Sequence, residues 1–479
     1  MRSLTRSGAA WAGLMMMALY GCAAYTRRPL NPAQTADNFE QRTLTTTALC
    51  DYLRANSGAY VSSCPPKRWN LAGLTLAGLY YSPDVAVADA KLKVAKAAVI
   101  TAAERPNPSF GLGPAYAATA VPNFAPWAIG AAEINFPIET AGKRGHRINQ
   151  AKRLADAAAM DVGQAVWQVR GAVRAAFLSY LVARRKYALA RAYESASADI
   201  AQLLRERVSA GAAAAPDLNF ALANLAAARL RAAQAQSSVP ETLNTLATAM
   251  GMPVEGLQEA AFAWPHFDNP PDESALTTAS VRRMALLNRI DLRRMLAEYA
   301  AADEALKLEI ARQYPNINLG GGYSWEVNEN LFELIPVITL PLMNHNQGPI
   351  AEARASRAQV ATEFAALQDG IITQASGALI GYRGALAALA QGSRAAAFAE
   401  KRLAGMRRAA DLGDIDALTL ATARLATITA EQSRLSALAN AQAALGTLEN
   451  AVQRPLEDDD LKSFIPPASL QDASGKRLQ

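Results

Sequence analysis

The chain has 479 residues, 51% hydrophobic and 19% charged, enough for two or three domains and too apolar to stay unfolded. Its 48 Lys and Arg against 42 Asp and Glu leave +6 spread over the whole length, without the basic arms of a nucleic-acid binder. Three His and three Cys show no CxxC or HExxH spacing, which argues against a built-in metal site. No nucleotide-cradling glycine loop, Ser/His/Asp set or catalytic carboxylate pair is legible either, so neither an enzymatic activity nor a cofactor is expected.

Residues 1–21 read as an export signal. Arg2 and Arg6 form the positive flank, and the apolar run Gly8 to Leu19 is too short to span a bilayer. Leu19-Tyr20-Gly21-Cys22 resembles a bacterial lipoprotein cleavage box. It makes Cys22 the expected acylation site and, with Ala23 following, the outer membrane the expected destination. An N-terminal extension follows over 22–80. Its Cys50 and Cys64 would share an oxidising compartment, either as a disulfide closing a short loop or as two free thiols.

Beyond it the chain repeats itself at an offset near 200 residues. Asp84 and Pro108 stand 207 before Asp291 and Pro315, and Thr245 to Glu255 stands 202 before Thr447 to Glu457 with Thr, Leu, Ala, Pro and Glu retained. Pro137 answers Pro341, and Gly211 answers Gly413. The expected organisation is a first repeat over 81–251, a Pro-rich linker over 252–277, a second repeat over 278–457 and a tail over 458–479.

Each repeat opens on a helix, expected over 83–105 and 278–313, which stops at Pro106/Pro108 and at Pro315. The period then switches to two. Ile317, Leu319, Tyr323 and Trp325 alternate with Asn316, Asn318, Ser324 and glycines, and Phe110, Leu112 and Tyr116 alternate with Ser109, Gly111 and Gly113. A second strand follows in each repeat. Ala132, Ile134 and Phe136 alternate with Glu133 and Asn135, and Phe332, Leu334, Ile338 and Leu340 with Glu333 and Thr339. Two hairpins result, with connectors at 117–126 and 326–330. Proline-free Ala/Leu/Arg-rich stretches over 147–210 and 350–411 then predict helices about 90–100 Å long. Turns at Gly211 and Gly413 send the chain back along helices over 217–251 and 417–452.

Four strands with one apolar and one wet face cannot close a barrel, and open edges do not survive in lipid. Copies must pool their strands, and three copies give twelve. The wet-face residues Glu133, Asn135, Asn316, Asn318, Glu333 and Thr339 are then candidates for lining a lumen.

Over about 40–460 the chain resembles the TolC family of outer-membrane factors. The resemblance rests on the duplicated helix–hairpin–long helix–turn–helix unit, on Pro108 and Pro315 opening the strands, and on the turn glycines Gly211 and Gly413. The corner Phe136 to Gly145, with Arg147, is similar to the heavy-metal-type members, whereas Leu340 to Gly348 is the more general form. The fold this implies is mainly α with a small β part. It is a homotrimer whose twelve-stranded outer-membrane barrel continues into a periplasmic helical barrel. Its partners would be outer-membrane lipid, a periplasmic adaptor and an inner-membrane transporter. The implied function is a passive exit duct of a tripartite efflux pump for small solutes, drugs or metal cations; the alternative is the duct of a type I protein-secretion system. Family members gate through carboxylates after the second turn glycine, where this chain has Thr419 and Thr422. Asp411, Asp414 and Asp416, with Asp217 in the first repeat, are the substitute gate candidates, against the alternative that Asp414, Asp416 and Asp217 cap helices. His146 and His345 stand near the two corners and are read as surface residues rather than metal ligands.

Overall fold

The computed structural model describes residues 25–56, 64–116, 127–274, 276–326 and 329–456. The export signal, Cys22, the first hairpin connector and the tail over 458–479 fall outside them. The chain divides into two units, 1–42 and 43–479. The first contains helix α1 (Pro32–Glu40), with Pro32 in its first turn and Asn31 accepting from the Gln34 amide.

The second unit opens on α2 (Thr47–Asn56) and α3 (Leu71–Tyr81). Cys50 and Cys64 are joined by a disulfide. Helix α3 is buried from Leu71 to Leu79, which explains why its sequence carries no amphipathic period. After Ser82, whose hydroxyl caps the next helix, comes α4 (Pro83–Ala103). The hairpin β1 (Ser109–Tyr116) and β2 (Trp127–Ile138), the 67-residue α5 (Lys143–Ser209) and the 36-residue α6 (Ala215–Met250) complete the first repeat.

The second repeat copies this plan: α7 (Thr278–Asn288), α8 (Ile290–Ala311), β3 (Ile317–Glu326), β4 (Glu329–Ile338), the 65-residue α9 (Gln347–Asp411) and the 36-residue α10 (Ala417–Val452). The helix expected over 278–313 is therefore two helices, broken at Arg289, whose φ −60° and ψ 120° match Ser82 at φ −63° and ψ 121°. Neither proline nor glycine marks the break. The Arg289 guanidinium is instead held by Asp291 and Gln374, while the Ile290 amide donates to the Gln453 side chain. Because α3 and α7 correspond, the helix-pair repeat reaches back into the stretch assigned to the N-terminal extension.

The helix ends repeat as well. Gly251 at φ 70° closes α6 and Gln453 at φ 48° closes α10. A Cβ on Gly251 would stand 2.8 Å from the Tyr81 carbonyl, so glycine is required there. In the second repeat the proline at the start of α4 is replaced by Ile290, which has an amide to satisfy, and Gln453 satisfies it.

All four strands form one antiparallel sheet in the order β1-β2-β3-β4. The α5/α6 and α9/α10 hairpins pack along their lengths, and α8 packs on both long helices. The larger core gathers α2, α3, the middle of α5, the end of α6 and the linker, in which Trp264 stacks on Phe177 at 5.3 Å. A smaller core lies between α7, α9 and α10.

The two repeats are joined by a fully buried charge cluster. Glu449 on α10 accepts from Arg170 at 3.0 Å and lies 3.2 Å from Arg174 Nε, both arginines being on α5. Arg174 also donates to the Gln442 carbonyl at 2.7 Å, and the Gln442 amide donates to the Phe267 carbonyl at 2.9 Å. The guanidiniums stack over Trp167 and Trp264. Burial pushes the Glu449 carboxyl up, but the two arginines and the Leu456 amide outweigh it and hold it below the usual range. Gly446 leaves room for this, since a Cβ there would lie 2.7 Å from Arg174 Nη1. Removing the acid strands two buried cations. Glu449→Gln is expected to lower the urea unfolding midpoint by an amount equivalent to about 3–5 kcal/mol. The triple change Arg170→Met, Arg174→Met and Glu449→Leu should recover much of that loss in the same measurement.

Candidate pore-lining and gating residues

Three places carry the chemistry that the sequence singled out: the sheet's polar face, the strand-to-helix corners and the helix tips. On the sheet, register assigns the faces. Gly111, Glu133, Gly322 and Glu333 stand in one cross-strand row, and Ser109, Asn135, Gly320 and Ile335 in the next. Residues directly opposite share a face. Glu133, Asn135, Asn318 and Glu333 therefore share one side, on which Glu133, Asn135 and Glu333 line a concavity. That side is less polar than expected, since Ile335 and Val337 of β4 lie on it and are exposed. The other side carries Phe110, Leu112, Ile134, Phe136, Phe332, Leu334 and Ile338, all exposed on the single chain.

Two of the lumen candidates lie beyond the strand ends. Thr339 follows β4, and Asn316 precedes β3 with its Oδ1 accepting from Lys143 Nζ at 2.6 Å. Asn316 thus takes part in the corner. There Lys143, itself buried, also donates to the Tyr314 carbonyl, and Thr140 donates to the Pro315 carbonyl at 2.6 Å. Arg144 and Arg147 donate to the Ala103 and Ala102 carbonyls, filling acceptors that the end of α4 leaves open. Arg147 holds Glu139 through both carboxylate oxygens, at 2.7 and 3.2 Å. The turn that permits this has Ala141 at φ 55° and Gly142 at φ 72°. The motif residues from Glu139 to Arg147 thus weld β2 to α4, α8 and the start of α5. The second corner is tied differently, by Asn346 donating to the Glu309 carbonyl at 2.8 Å.

His146 also joins the first corner, its Nδ1 3.0 Å from Glu304, while His345 is exposed. Among the described residues no group of three or more His, Cys, Asp and Glu could hold a metal ion.

At the tips both long helices end in the same closure. Gly211 at φ 72° and Gly413 at φ 80° let the next amides, of Ala212 and Asp414, reach back to the Arg207 and Ala409 carbonyls. The four aspartates then separate. Asp416 is the N-cap of α10, its Oδ1 accepting from the Thr419 amide at 2.7 Å, and its Oδ2 pairs with Arg207 at the tip of α5. The Thr419 hydroxyl, Arg207 and the Thr419 amide hold its carboxyl well below the usual range. Asp411 ends α9 and Asp414 lies in the turn, both exposed. Asp217 does not cap: Ala214 holds that position, and Asp217 lies exposed in the first turn of α6, where a carboxylate favours the helix dipole. The partner Arg207 and a second inter-repeat pair, Asp199–Arg424 at 3.3 Å, were not singled out by the sequence. Their only signal is opposite charge in the two tips, more than 200 residues apart.

The first corner holds a carboxylate whose contribution depends on pH. Its arginine partner, aided by Arg144 and Lys143, outweighs burial and holds the Glu139 carboxyl below its ordinary value. A carboxyl depressed on folding stabilises above the unfolded value, about pH 4.3, and that contribution is lost as pH falls through the depressed value. Glu139→Gln should therefore lower the urea midpoint at neutral pH and leave it close to wild type in strong acid.

Residues 79–252 match the family described as outer membrane efflux protein. The cobalt-zinc-cadmium resistance protein CzcC of Cupriavidus metallidurans is 29% identical over 232 residues, 48% of this chain and 54% of that protein. The match thus spans about half the length of the curated relative. Among solved structures, the Campylobacter jejuni CmeC outer membrane channel superposes with a TM-score of 0.65 at 14% identity, covering 92% of this chain and 96% of that one. The Vibrio cholerae outer membrane protein VceC gives 0.64 at 16% identity, covering 81% and 97%. The resemblance carried by the repeat and its turn glycines therefore stands: residues 79–252 match the outer membrane efflux protein family, and the chain has the fold of the outer-membrane channels.

Proposed function

We propose that this protein is the outer-membrane exit duct of a tripartite efflux pump, assembled as a homotrimer and working with a periplasmic adaptor and an inner-membrane transporter. The observation that carries the reading is the sheet. It has four strands, an exposed apolar face, a face bearing Glu133, Asn135, Asn318 and Glu333, and edge strands β1 and β4 that pair with nothing further among the described residues. Lipid does not tolerate unpaired edges, and three such sheets joined edge to edge satisfy every strand. The apolar face then meets lipid and the carboxylates line the bore. Cys22, acylated, adds an anchor to the periplasmic leaflet.

Metal cations are the favoured cargo. The named relative is a cobalt-zinc-cadmium resistance protein, and a row bearing Glu133 and Glu333 in each copy lowers the barrier for cations over anions. A type I secretion duct would need the same sheet, but no observation in the chain favours it.

Asp416 is neutralised by Arg207, so it ties the tips of the two helix hairpins together, while Asp411, Asp414 and Asp217 are the carboxylates left facing solvent. Arg207–Asp416 and Asp199–Arg424 act as ties that hold the tip closed. In planar bilayers the purified protein should give small, cation-selective currents. Arg207→Ala combined with Arg424→Ala should raise the conductance, whereas Asp411→Ala with Asp414→Ala should lower cation selectivity without opening the tip. Conductance unchanged by the arginine pair would remove the ties from the gate, and a well-folded monomer without currents would remove the duct.

A further inference from the structure

The two strand-to-helix corners occupy equivalent places in the repeats and have opposite character. In the first, Glu139 follows Pro137 and Ile138 and is locked to Arg147. In the second, the residues after Pro341 are Leu342 and Met343. These are 75% and 93% exposed, and Leu340, just before the proline, is 69% exposed. The backbone beneath is tied down: Leu342 donates to the Leu340 carbonyl, Asn346 to Asn344 Oδ1, His345 to Gln347 Oε1, and the Asn346 side chain to Glu309. The three apolar side chains are thus presented on a fixed loop. They begin where the apolar face of the sheet ends, at the row Ile138–Ile317–Ile338, and Leu340 lies two residues beyond Ile338. Tyr314, exposed at the end of α8, adds an amphipathic ring of the kind that sits at headgroup level.

We infer that segment 340–343 is an interfacial anchor that inserts Leu340, Leu342 and Met343 into the periplasmic leaflet of the outer membrane and sets the depth of the barrel. This rests on the duct reading, and its occupant is lipid because the segment continues the face that the reading places in lipid. Apolar side chains held at the headgroup–acyl boundary gain burial with no protein partner. The sheet alone ends its apolar band at Ile338, and the anchor extends that band on the second-repeat side only.

The test uses the full chain reconstituted in phosphatidylethanolamine/phosphatidylglycerol vesicles, with a nitroxide label on Met343→Cys, on Phe332→Cys in the sheet and on Glu400→Cys on exposed α9. Label taken up by the unsubstituted protein serves as background. Collision with oxygen, which concentrates in lipid, is compared with collision with a water-soluble nickel chelate. The expected result is an oxygen-to-nickel ratio at 343 several-fold above that at 400 and approaching that at 332. A ratio equal to that at 400 places the loop in water and overturns the anchor. Low collision with both reagents means that a second copy covers the loop, which overturns it equally. If position 332 itself gives the ratio of 400, the membrane reading fails as well, so the two failures are distinguishable.

Discussion

The architecture turns on Glu449. A carboxylate with no exposed surface, held between Arg170 and Arg174, fixes the last helix of the second repeat to the longest helix of the first. Desolvating three charges is expensive, and such a cluster stabilises little over a well-packed apolar substitute. Its value lies in register. Long Ala-rich helices slide past one another at small cost because small side chains offer shallow ridges and grooves. The cluster tolerates no sliding, since one turn of displacement would leave an ion without its counterpart. The bonds from Arg174 to Gln442 and from Gln442 to the Phe267 carbonyl carry the same constraint into the linker.

Duplication explains the rest of the plan and also where the two halves differ. Equivalent bends at Ser82 and Arg289, equivalent left-handed closures at Gly251 and Gln453, and equivalent tips at Gly211 and Gly413 show one unit used twice. The halves diverge where each must satisfy its own neighbours. A proline after the bend needs no acceptor, so a glycine suffices opposite it; an isoleucine there brings an amide, and Gln453 supplies the oxygen. The corners diverge further. One is a network of four cationic and polar side chains around carbonyls, and the other is a short polar tie beneath exposed apolar residues.

Much of this was legible in the chain. Local rules govern the hairpins, the long helices and their returns: period-two alternation, proline stops and glycine turns leave marks within a few residues. The break at Arg289 left no such mark, because it is held by Gln374 and Gln453 from distant helices. Alternation alone does not give the polarity of the strand faces, since Ile335 and Val337 share the side of Glu333. Among the aspartates, capping by Asp416 follows from its place before α10, but its pairing with Arg207 depends on how the two hairpins lie side by side. The charge cluster at Glu449 was invisible for the same reason: nothing in its neighbourhood of sequence distinguishes a buried glutamate from a solvated one.

Gly320 sits so close to β4 that a Cβ would meet the Ile335 carbonyl at 3.0 Å, and Glu133 Oε1 lies 3.9 Å from the same point. The acidic side chain of β2 can therefore lie flat across its neighbour instead of standing inward. Were three sheets to close into a cylinder, one strand in four at this level would present bare backbone beside Asn135 and Ile335. Charge and calibre would thereby be separated: Glu133 would bring its carboxylate to such a passage across a bare strand, while Ile335 in the same row would set the steric limit.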